Sequence, residues 1–154
     1  MSITLQEFLA RAAEKAAADL EAAVLRLPED KRGWSPMGDA RTALDQAAEC
    51  AILNGSTADL IQSRTWTWSG DFSEFQRAKT ELAQDWESLR SLLQTNTAKV
   101  MEVIRAIPDD DLSIEIELPW GPTSLAQIAS YPYWNMAYHE GQTNYIASML
   151  GCLP

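Results

Sequence analysis

The sequence predicts an all-α protein, an antiparallel four-helix bundle with a long connector between helices 2 and 3 and one short strand-like segment before the last helix. Four stretches of about 15–30 residues place apolar side chains at helical spacing. Only one short stretch alternates apolar and polar residues as a strand does. The length of 154 residues and the hydrophobic content of 46% suit a single domain over residues 1–154 with one buried core.

The first helix is predicted over residues 4–26. Thr4 is the expected N-cap, and Glu7, three positions later, is its expected capping-box partner. Apolar residues recur at helical spacing along the whole stretch, so one face is expected to be buried. The segment "LPEDKRGWSPMGDA" that follows is predicted to be a loop, because it contains two prolines and two glycines.

The second helix is predicted from a cap at Asp39 at least to Asn54, with Gly55 either ending or bending it. Its apolar positions are mostly alanine, and such small residues let a neighbouring helix approach closely. The aromatic-rich segment "TWTWSGDFSEF" is predicted to be an irregular connector. A third helix is then predicted over residues 74–106, closed by Pro108.

The segment "LSIEIELPWG" is the strand-like piece, because apolar and polar residues alternate along it. The residues "PWGPTS" are predicted to turn into the last helix, capped by Thr123 or Ser124. This helix is expected to run to about Leu150, with Gly151 as a left-handed C-terminal cap. Pro132 lies inside it and is expected to kink or split it.

The net charge of −10 and the isoelectric point of about 4.4 argue against nucleic acid and anionic membranes as partners, because both bind cationic surfaces. No apolar run approaches the roughly 20 residues of a membrane span, and the N-terminus lacks the basic region of a signal peptide. A cytoplasmic protein is predicted. The two cysteines, Cys50 and Cys152, are too few for a disulfide framework and are expected to be reduced, with Cys50 in the core.

His139 is the only histidine in the sequence, and it lies in an apolar stretch of the last helix. Helical spacing places Asn135, His139 and Gln142 on one stripe. The second helix offers Asp45 and Glu49, also four residues apart. A carboxylate that faces a bundle core needs a partner, so a contact between Glu49 and His139 is predicted. From the residues alone, this contact could be an ion pair, a hydrogen bond or two ligands of one metal ion.

Four segments together carry a resemblance to a known family: "WSPMGDARTALDQAAECAILN", "AIPDDDL", "LPWGPTSLAQI" and "YWNMAYHEGQTNYIASMLG". They resemble the DinB-like superfamily, four-helix bundles grouped with the DinB and YfiT-type proteins, and the resemblance covers essentially the whole chain. The last segment is the most specific. Members of the family have two histidines four residues apart, the second closely followed by Gly-Gln, and the run from His139 to Gln142 matches the second half of that pattern.

The typical site of the family has three histidines that bind a divalent metal, one from the second helix and two from the fourth. Carried over by position, these ligands fall on Glu49, Asn135 and His139, so the resemblance implies two oxygen ligands and one imidazole. Oxygen ligands favour harder ions, and nickel, zinc or manganese is the implied metal. Gly141 and Gln142 look structural in the family: Gly141 permits close helix packing, and Gln142 hydrogen-bonds the site.

Characterised relatives use the metal to activate the thiol of a low-molecular-weight cofactor such as bacillithiol or mycothiol. The resemblance therefore implies a divergent metal-dependent thiol transferase with a small-molecule substrate and a homodimeric assembly. Trp120 and Trp134 are candidate pocket residues.

Two other interpretations stay open. The first is a non-catalytic bundle that has lost its metal and serves as a small-ligand-binding or protein-interaction module, with a Glu49–His139 contact in place of the metal. The second is a metal-free enzyme that uses the same two residues as an acid–base pair, although no nucleophile motif supports it.

Overall fold

The computed structural model describes residues 2–68 and 70–153; Met1, Pro154 and Ser69, which belongs to the predicted connector, lie outside the described residues. In those ranges the chain forms the helices α1 (Leu5–Arg26), α2 (Ala43–Ser63), α3 (Phe72–Leu82), α4 (Trp86–Arg105) and α5 (Leu125–Met149). Strands β1 (Glu115–Leu118) and β2 (Gly121–Ser124) form an antiparallel hairpin between α4 and α5. The predicted all-α class, with a strand-like segment before the last helix, is confirmed.

The four long helices α1, α2, α4 and α5 form a bundle in which each packs mainly against two others. Two ion pairs show that α1 and α4 run in opposite directions. Glu7 near the start of α1 pairs with Arg105 at the end of α4. Glu21 near the end of α1 pairs with Arg90 near the start of α4. The two helices therefore form an antiparallel pair, as neighbours in a four-helix bundle commonly do.

α2 and α4 run in the same direction. The Asn96 side chain donates a hydrogen bond to the Ala51 carbonyl, and further along both helices Lys99 pairs with Asp59. A parallel pair requires the chain to return along the bundle between its two helices. The predicted long connector supplies this return, because residues 64–85, which include α3, lie between α2 and α4.

The start of α2 differs from the prediction. Thr42 is the N-cap, and its hydroxyl accepts a hydrogen bond from the backbone N–H of Asp45 at 3.1 Å. The predicted cap at Asp39 is wrong, because Asp39 lies in a tight turn after Gly38, whose φ of 54° is left-handed. Thr4 caps α1 as predicted, accepting from its third helical residue.

The prediction of one continuous helix over residues 74–106 is wrong, because the structure divides this stretch into α3 and α4. Asp85 ends any continuous helix here: its carboxylate accepts from the backbone N–H groups of Glu87 and Ser88, both at 3.3 Å. An aspartate with extended backbone and two such bonds is an N-cap. α3 is thereby free to pack at its own angle against α2.

The last helix follows directly from the hairpin. The segment predicted as a simple turn contains β2, and Ser124 then forms a reciprocal capping box with Gln127. α5 is continuous through the buried Pro132, so the predicted split does not occur. Gly151 has a φ of 68° just beyond the helix, which is the predicted left-handed cap.

The core lies along the shared axis of the four long helices, where leucines, isoleucines and many alanines are buried. Among its fully buried members are Leu20, Leu93, Ile104, Leu125 and Met136. Within the described part of the chain, no helix is long and apolar enough to cross a membrane.

Gly55 does not end α2, which continues to Ser63. Its role is close packing: a Cβ atom here would lie 2.7 Å from Nδ2 of Asn96, whose side chain is fixed by its hydrogen bond to α2. The close-packing role expected for Gly141 is not found, because a Cβ atom there would meet no described atom within 4 Å.

Gly55→Val is expected to lower the free energy of unfolding by about 1–3 kcal/mol, because the added methyl groups must displace Asn96 or separate α2 from α4. Gly141→Val is the matched control and should change it by less than about 0.5 kcal/mol, since its site is open. Urea denaturation followed by circular dichroism measures both. Equal losses in the two variants would contradict the packing account.

Candidate functional site

Glu49 is the centre of a polar cluster between α2 and α5. Its side chain is only 16% exposed. Nε2 of His139 lies 3.0 Å from Oε1 of Glu49, so the predicted contact between these two residues is present. Oε2 of Glu49 faces Nη1 of Arg41 at 2.8 Å and Nζ of Lys79 at 3.8 Å. Both carboxylate oxygens are therefore occupied by side chains of the protein.

The His139 ring is held in one orientation by two glutamine side chains. Nδ1 lies 2.9 Å from Oε1 of Gln46 and 2.9 Å from Oε1 of Gln142. The amide nitrogens of these glutamines have partners of their own, the Arg41 carbonyl at 3.3 Å and the Tyr138 hydroxyl at 3.1 Å. Because a carbonyl can only accept, the bond to Arg41 identifies the Gln46 atom that faces His139 as oxygen. Nδ1 must therefore carry a proton, and Nε2 is the nitrogen that meets Glu49.

α2 and α5 meet in this way because they run in opposite directions. Gln46 near the start of α2 contacts His139, while Asn54, two turns later, contacts Met136, which precedes His139 in α5. The stripe predicted on α5 therefore faces the predicted carboxylate stripe on α2. The expected hydrogen bond between Gln142 and the site is present, with Oε1 of Gln142 as the acceptor.

Lys79 is the contribution of α3 to the cluster, and it is 3% exposed. A buried ammonium group is costly unless it is paired. Its Nζ lies 3.2 Å from Oδ1 of Asp45 and 3.8 Å from Oε2 of Glu49. It also lies 5.3 Å from the centroid of the Phe75 ring. The pairs with Asp45 and Glu49 connect α3 to α2, and the partly buried Leu82 of α3 also packs against the core.

The charges around Glu49 favour its ionised form. Burial alone raises its pKa, but the hydrogen bond from His139 and the positive charges of Arg41 and Lys79 outweigh that effect and lower the pKa below its ordinary value. Asp45 shares both cations, with Oδ2 2.5 Å from Nε of Arg41. The cluster is thus an ion network in which cationic and anionic groups compensate one another at neutral pH.

Asn135 and Cys50 form a neighbouring contact in the core. The Asn135 amide nitrogen donates to Sγ of Cys50 at 3.5 Å, and both residues are buried. Burial, assisted by the negative charge of Glu49, raises the pKa of the Cys50 thiol. Cys50 is therefore the predicted core residue and remains a protonated thiol. Cys152 is also free.

The donor set fits a divalent metal poorly. Glu49 and His139 face each other, but the hydrogen bond of Asn135 goes to Cys50, and Oε2 of Glu49 is already paired with two cations. A metal ion there would add charge beside a guanidinium and an ammonium. In residues 2–68 and 70–153, no group of three His, Cys, Asp or Glu side chains could hold a metal ion.

A cavity of about 760 Å³ adjoins this cluster, and Glu49 forms part of its wall. Six of the described lining residues are aromatic. The wall draws its residues from α2, from the connector after α2, from α3, from the hairpin and from α5. The aromatic residues are Trp66, Trp68, Phe72, Phe75, Trp120 and Tyr131. We call this space the aromatic cavity. Its size is in the range of small-molecule sites, roughly 300–1,000 Å³.

The rings of the aromatic cavity pack nearly at right angles. Trp66 contacts Trp68 with centroids 5.9 Å apart and Trp120 with centroids 5.3 Å apart. Trp68 contacts Phe72 at 4.8 Å. Edge-to-face contacts between aromatic rings are energetically favourable. They explain how an irregular connector keeps a defined shape at the edge of the bundle.

Trp120 lines the cavity, as the sequence indicated, whereas Trp134 is not among the described lining residues. Trp134 is 57% exposed and stacks on Tyr138. The sequence interpretation missed Arg41 and Lys79. No local pattern marks Lys79, because the burial of a lysine depends on its tertiary partners. The sequence interpretation also missed the aromatic cavity, although the density of aromatic residues in the connector pointed to one.

The comparisons with known proteins bear on the fold. No protein-family model matches the chain, and no curated protein sequence matches it significantly. The chain is similar to a solved structure, that of a conserved protein from Enterococcus faecalis, with a TM-score of 0.77. The match covers 97% of this chain and 99% of that chain at 14% sequence identity. At this identity the likeness supports the same fold and nothing further.

Glu49→Gln is expected to lower the free energy of unfolding at neutral pH by about 1–3 kcal/mol, because three cationic or hydrogen-bonding partners lose their charge-assisted bonds. The pKa of Glu49 is lowered by folding. Its contribution is therefore present above the unfolded-state pKa and is lost as the pH falls through the folded-state pKa. The difference between wild type and variant should be full at neutral pH and vanish in acid.

Urea denaturation at a series of pH values measures this difference. Asp59→Asn is the matched control, because Asp59 and its partner Lys99 are exposed and such pairs contribute about 0–1 kcal/mol. A Glu49→Gln variant as stable as wild type at neutral pH would show that the ion network does not stabilise the fold.

Proposed function

We propose that this protein is a DinB-like bundle that binds a small molecule in the aromatic cavity and does not use a catalytic metal. The observation that carries the proposal is the position of Glu49, which forms part of the wall of an aromatic cavity while both its oxygens are occupied by protein side chains. This corresponds to the metal-free interpretation, in which a Glu49–His139 contact takes the place of the metal.

The composition of the cavity supports ligand binding. Ligand sites are mostly apolar and aromatic concavities with a few polar groups that fix orientation. Here six aromatic side chains accompany Glu49 and a few hydroxyl and amide groups. A catalytic role for cysteine is not favoured, because burial raises the pKa of the Cys50 thiol and a reactive cysteine needs a lowered one.

A metal-dependent thiol transferase is the second candidate, and the orientation of His139 favours it. A histidine that binds a metal through one ring nitrogen usually donates a hydrogen bond from the other N–H to a fixed acceptor. Nδ1 of His139 donates in this way to two glutamine oxygens. In that candidate Glu49 and His139 would hold the metal, and the metal would supply thiol activation. The cations on Glu49 and the contact of Asn135 with Cys50 weigh against it.

The proposal further includes a cytoplasmic location and assembly into homodimers. Exposed aromatic side chains on α5, among them Trp134, Tyr138 and Tyr145, support an assembly through that helix, because aromatic residues are enriched at protein interfaces.

Metal content distinguishes the two candidate functions. Untagged protein and His139→Ala are exposed to nickel, zinc and manganese, desalted and examined by mass spectrometry. We expect far less than one equivalent of metal in both, because Arg41 and Lys79 already neutralise the Glu49 carboxylate. One equivalent in the wild type, lost in His139→Ala, would favour the transferase.

Filling the aromatic cavity tests ligand binding directly. Leu53 lines the cavity from α2, so Leu53→Trp is expected to lower the affinity for the neutral dye Nile red at least about tenfold. Ile52→Trp is the matched control, because the neighbouring residue Ile52 is not among the described lining residues. Fluorescence titration measures both. Equal affinities in the two variants would place the dye elsewhere.

A further inference from the structure

We infer that the aromatic cavity selects an organic cation, an amine or quaternary ammonium compound with an apolar body, over neutral and anionic molecules of the same shape. This inference rests on the proposed ligand-binding function and adds the chemical class of the ligand. It is carried by the charges of the cavity wall and by the aromatic rings that form it.

The charged side chains of the described wall have one sign. Glu49 and Asp59 line the cavity, and no lysine, arginine or histidine is among the described lining residues. Arg41 and Lys79 pair with Oε2 of Glu49, and Lys99 pairs with Asp59, but none of these three cations is among the described lining residues. An anionic ligand would therefore meet carboxylates in the wall, and the net charge of −10 would also oppose its approach.

The charge of Glu49 also acts on Tyr131, another residue of the cavity wall. Burial first, and then the charge of Glu49, raise the pKa of Tyr131 to about 12. A negative charge that disfavours a phenolate at this position favours a positive charge there. The tyrosine remains a neutral phenol whose ring can face a bound cation.

The rings provide the second part of the recognition. The faces of tryptophan, tyrosine and phenylalanine attract ammonium groups within about 6 Å of the ring centre. Trp66, Trp68 and Trp120 are packed nearly at right angles, so their faces point in different directions around the space between them. A cation can then contact ring faces over a wide range of positions.

One wall ring already stabilises an ammonium group of the protein. Nζ of Lys79 lies 5.3 Å from the centroid of Phe75, which lines the cavity. This contact shows that a cation and an aromatic wall residue are compatible in this part of the molecule. A ligand cation on the cavity side of the wall would use the same interaction with different rings.

Three probes test the selection: benzyltrimethylammonium, its neutral isostere neopentylbenzene, and phenylacetate, a smaller anion with the same benzyl group. Untagged full-length protein is titrated with each, followed by tryptophan fluorescence and by displacement of Nile red. We expect the cation to bind about five to ten times more tightly than the neutral isostere, and the anion to bind more weakly than both.

Trp66→Leu distinguishes the cation–π interaction from apolar contact. It removes the central ring of the packed set but keeps an apolar side chain. The preference for the cation should fall to about twofold or less, while the affinity for the neutral isostere changes little. Trp120→Leu, whose ring is more exposed, repeats the test if Trp66→Leu does not fold. Trp134→Leu lies outside the described lining and should leave the preference unchanged.

The outcomes distinguish this inference from the function on which it rests. Equal binding of the cation and its neutral isostere, with Nile red still bound in the cavity, overturns cation selection and leaves small-molecule binding intact. Failure of all probes and of Nile red overturns both. Tighter binding of phenylacetate than of the cation overturns the argument from the charges of the wall.

Discussion

The Glu49 carboxylate lies mostly buried between two helices of the bundle, and the surrounding structure is arranged so that this charge is compensated. A buried carboxylate without partners would cost several kcal/mol. Arg41 reaches it from the segment before α2, Lys79 from α3, and His139 from α5. Three separate parts of the chain are therefore tied to one side chain, and each would lose a charge-assisted contact if Glu49 were neutral.

The aromatic cavity depends on the same interaction. α3 has Lys79 as its one buried residue, yet it supplies Phe72 and Phe75 to the cavity wall. The pairing of Lys79 with Asp45 and Glu49 thus helps to hold that part of the wall in place, together with the packing of Leu82 against the core. The bundle helices α2 and α5 supply half of the described lining residues, and the connector after α2, α3 and the hairpin supply the other half. Substitutions in the connectors can alter the ligand without disturbing the core.

Much of the bundle could be predicted from the sequence, because its helices have periodic apolar faces. The cap at Thr4 was predicted from the capping motif, and the contact between Glu49 and His139 from helical spacing and the need of a buried carboxylate for a partner. The break before Asp85 was missed because apolar spacing continues across it, and only the capping geometry of a single aspartate separates α3 from α4. The cavity was missed because its wall combines residues of three helices, a connector and the hairpin that are distant in sequence. Lys79 was missed because burial of a lysine depends on tertiary partners, not on local pattern.

The central claim is that His139 belongs to a closed ionic network and is not a metal ligand. Because the chain has one histidine, labelling histidine with ¹⁵N gives the ring nitrogens of a single residue in a nuclear magnetic resonance spectrum. The account predicts a protonated Nδ1, held by Gln46 and Gln142, and an Nε2 resonance that reports the hydrogen bond to Glu49. Excess zinc should leave both resonances unchanged. An Nε2 resonance that shifts with one equivalent of zinc, while Nδ1 keeps its proton, would contradict the account.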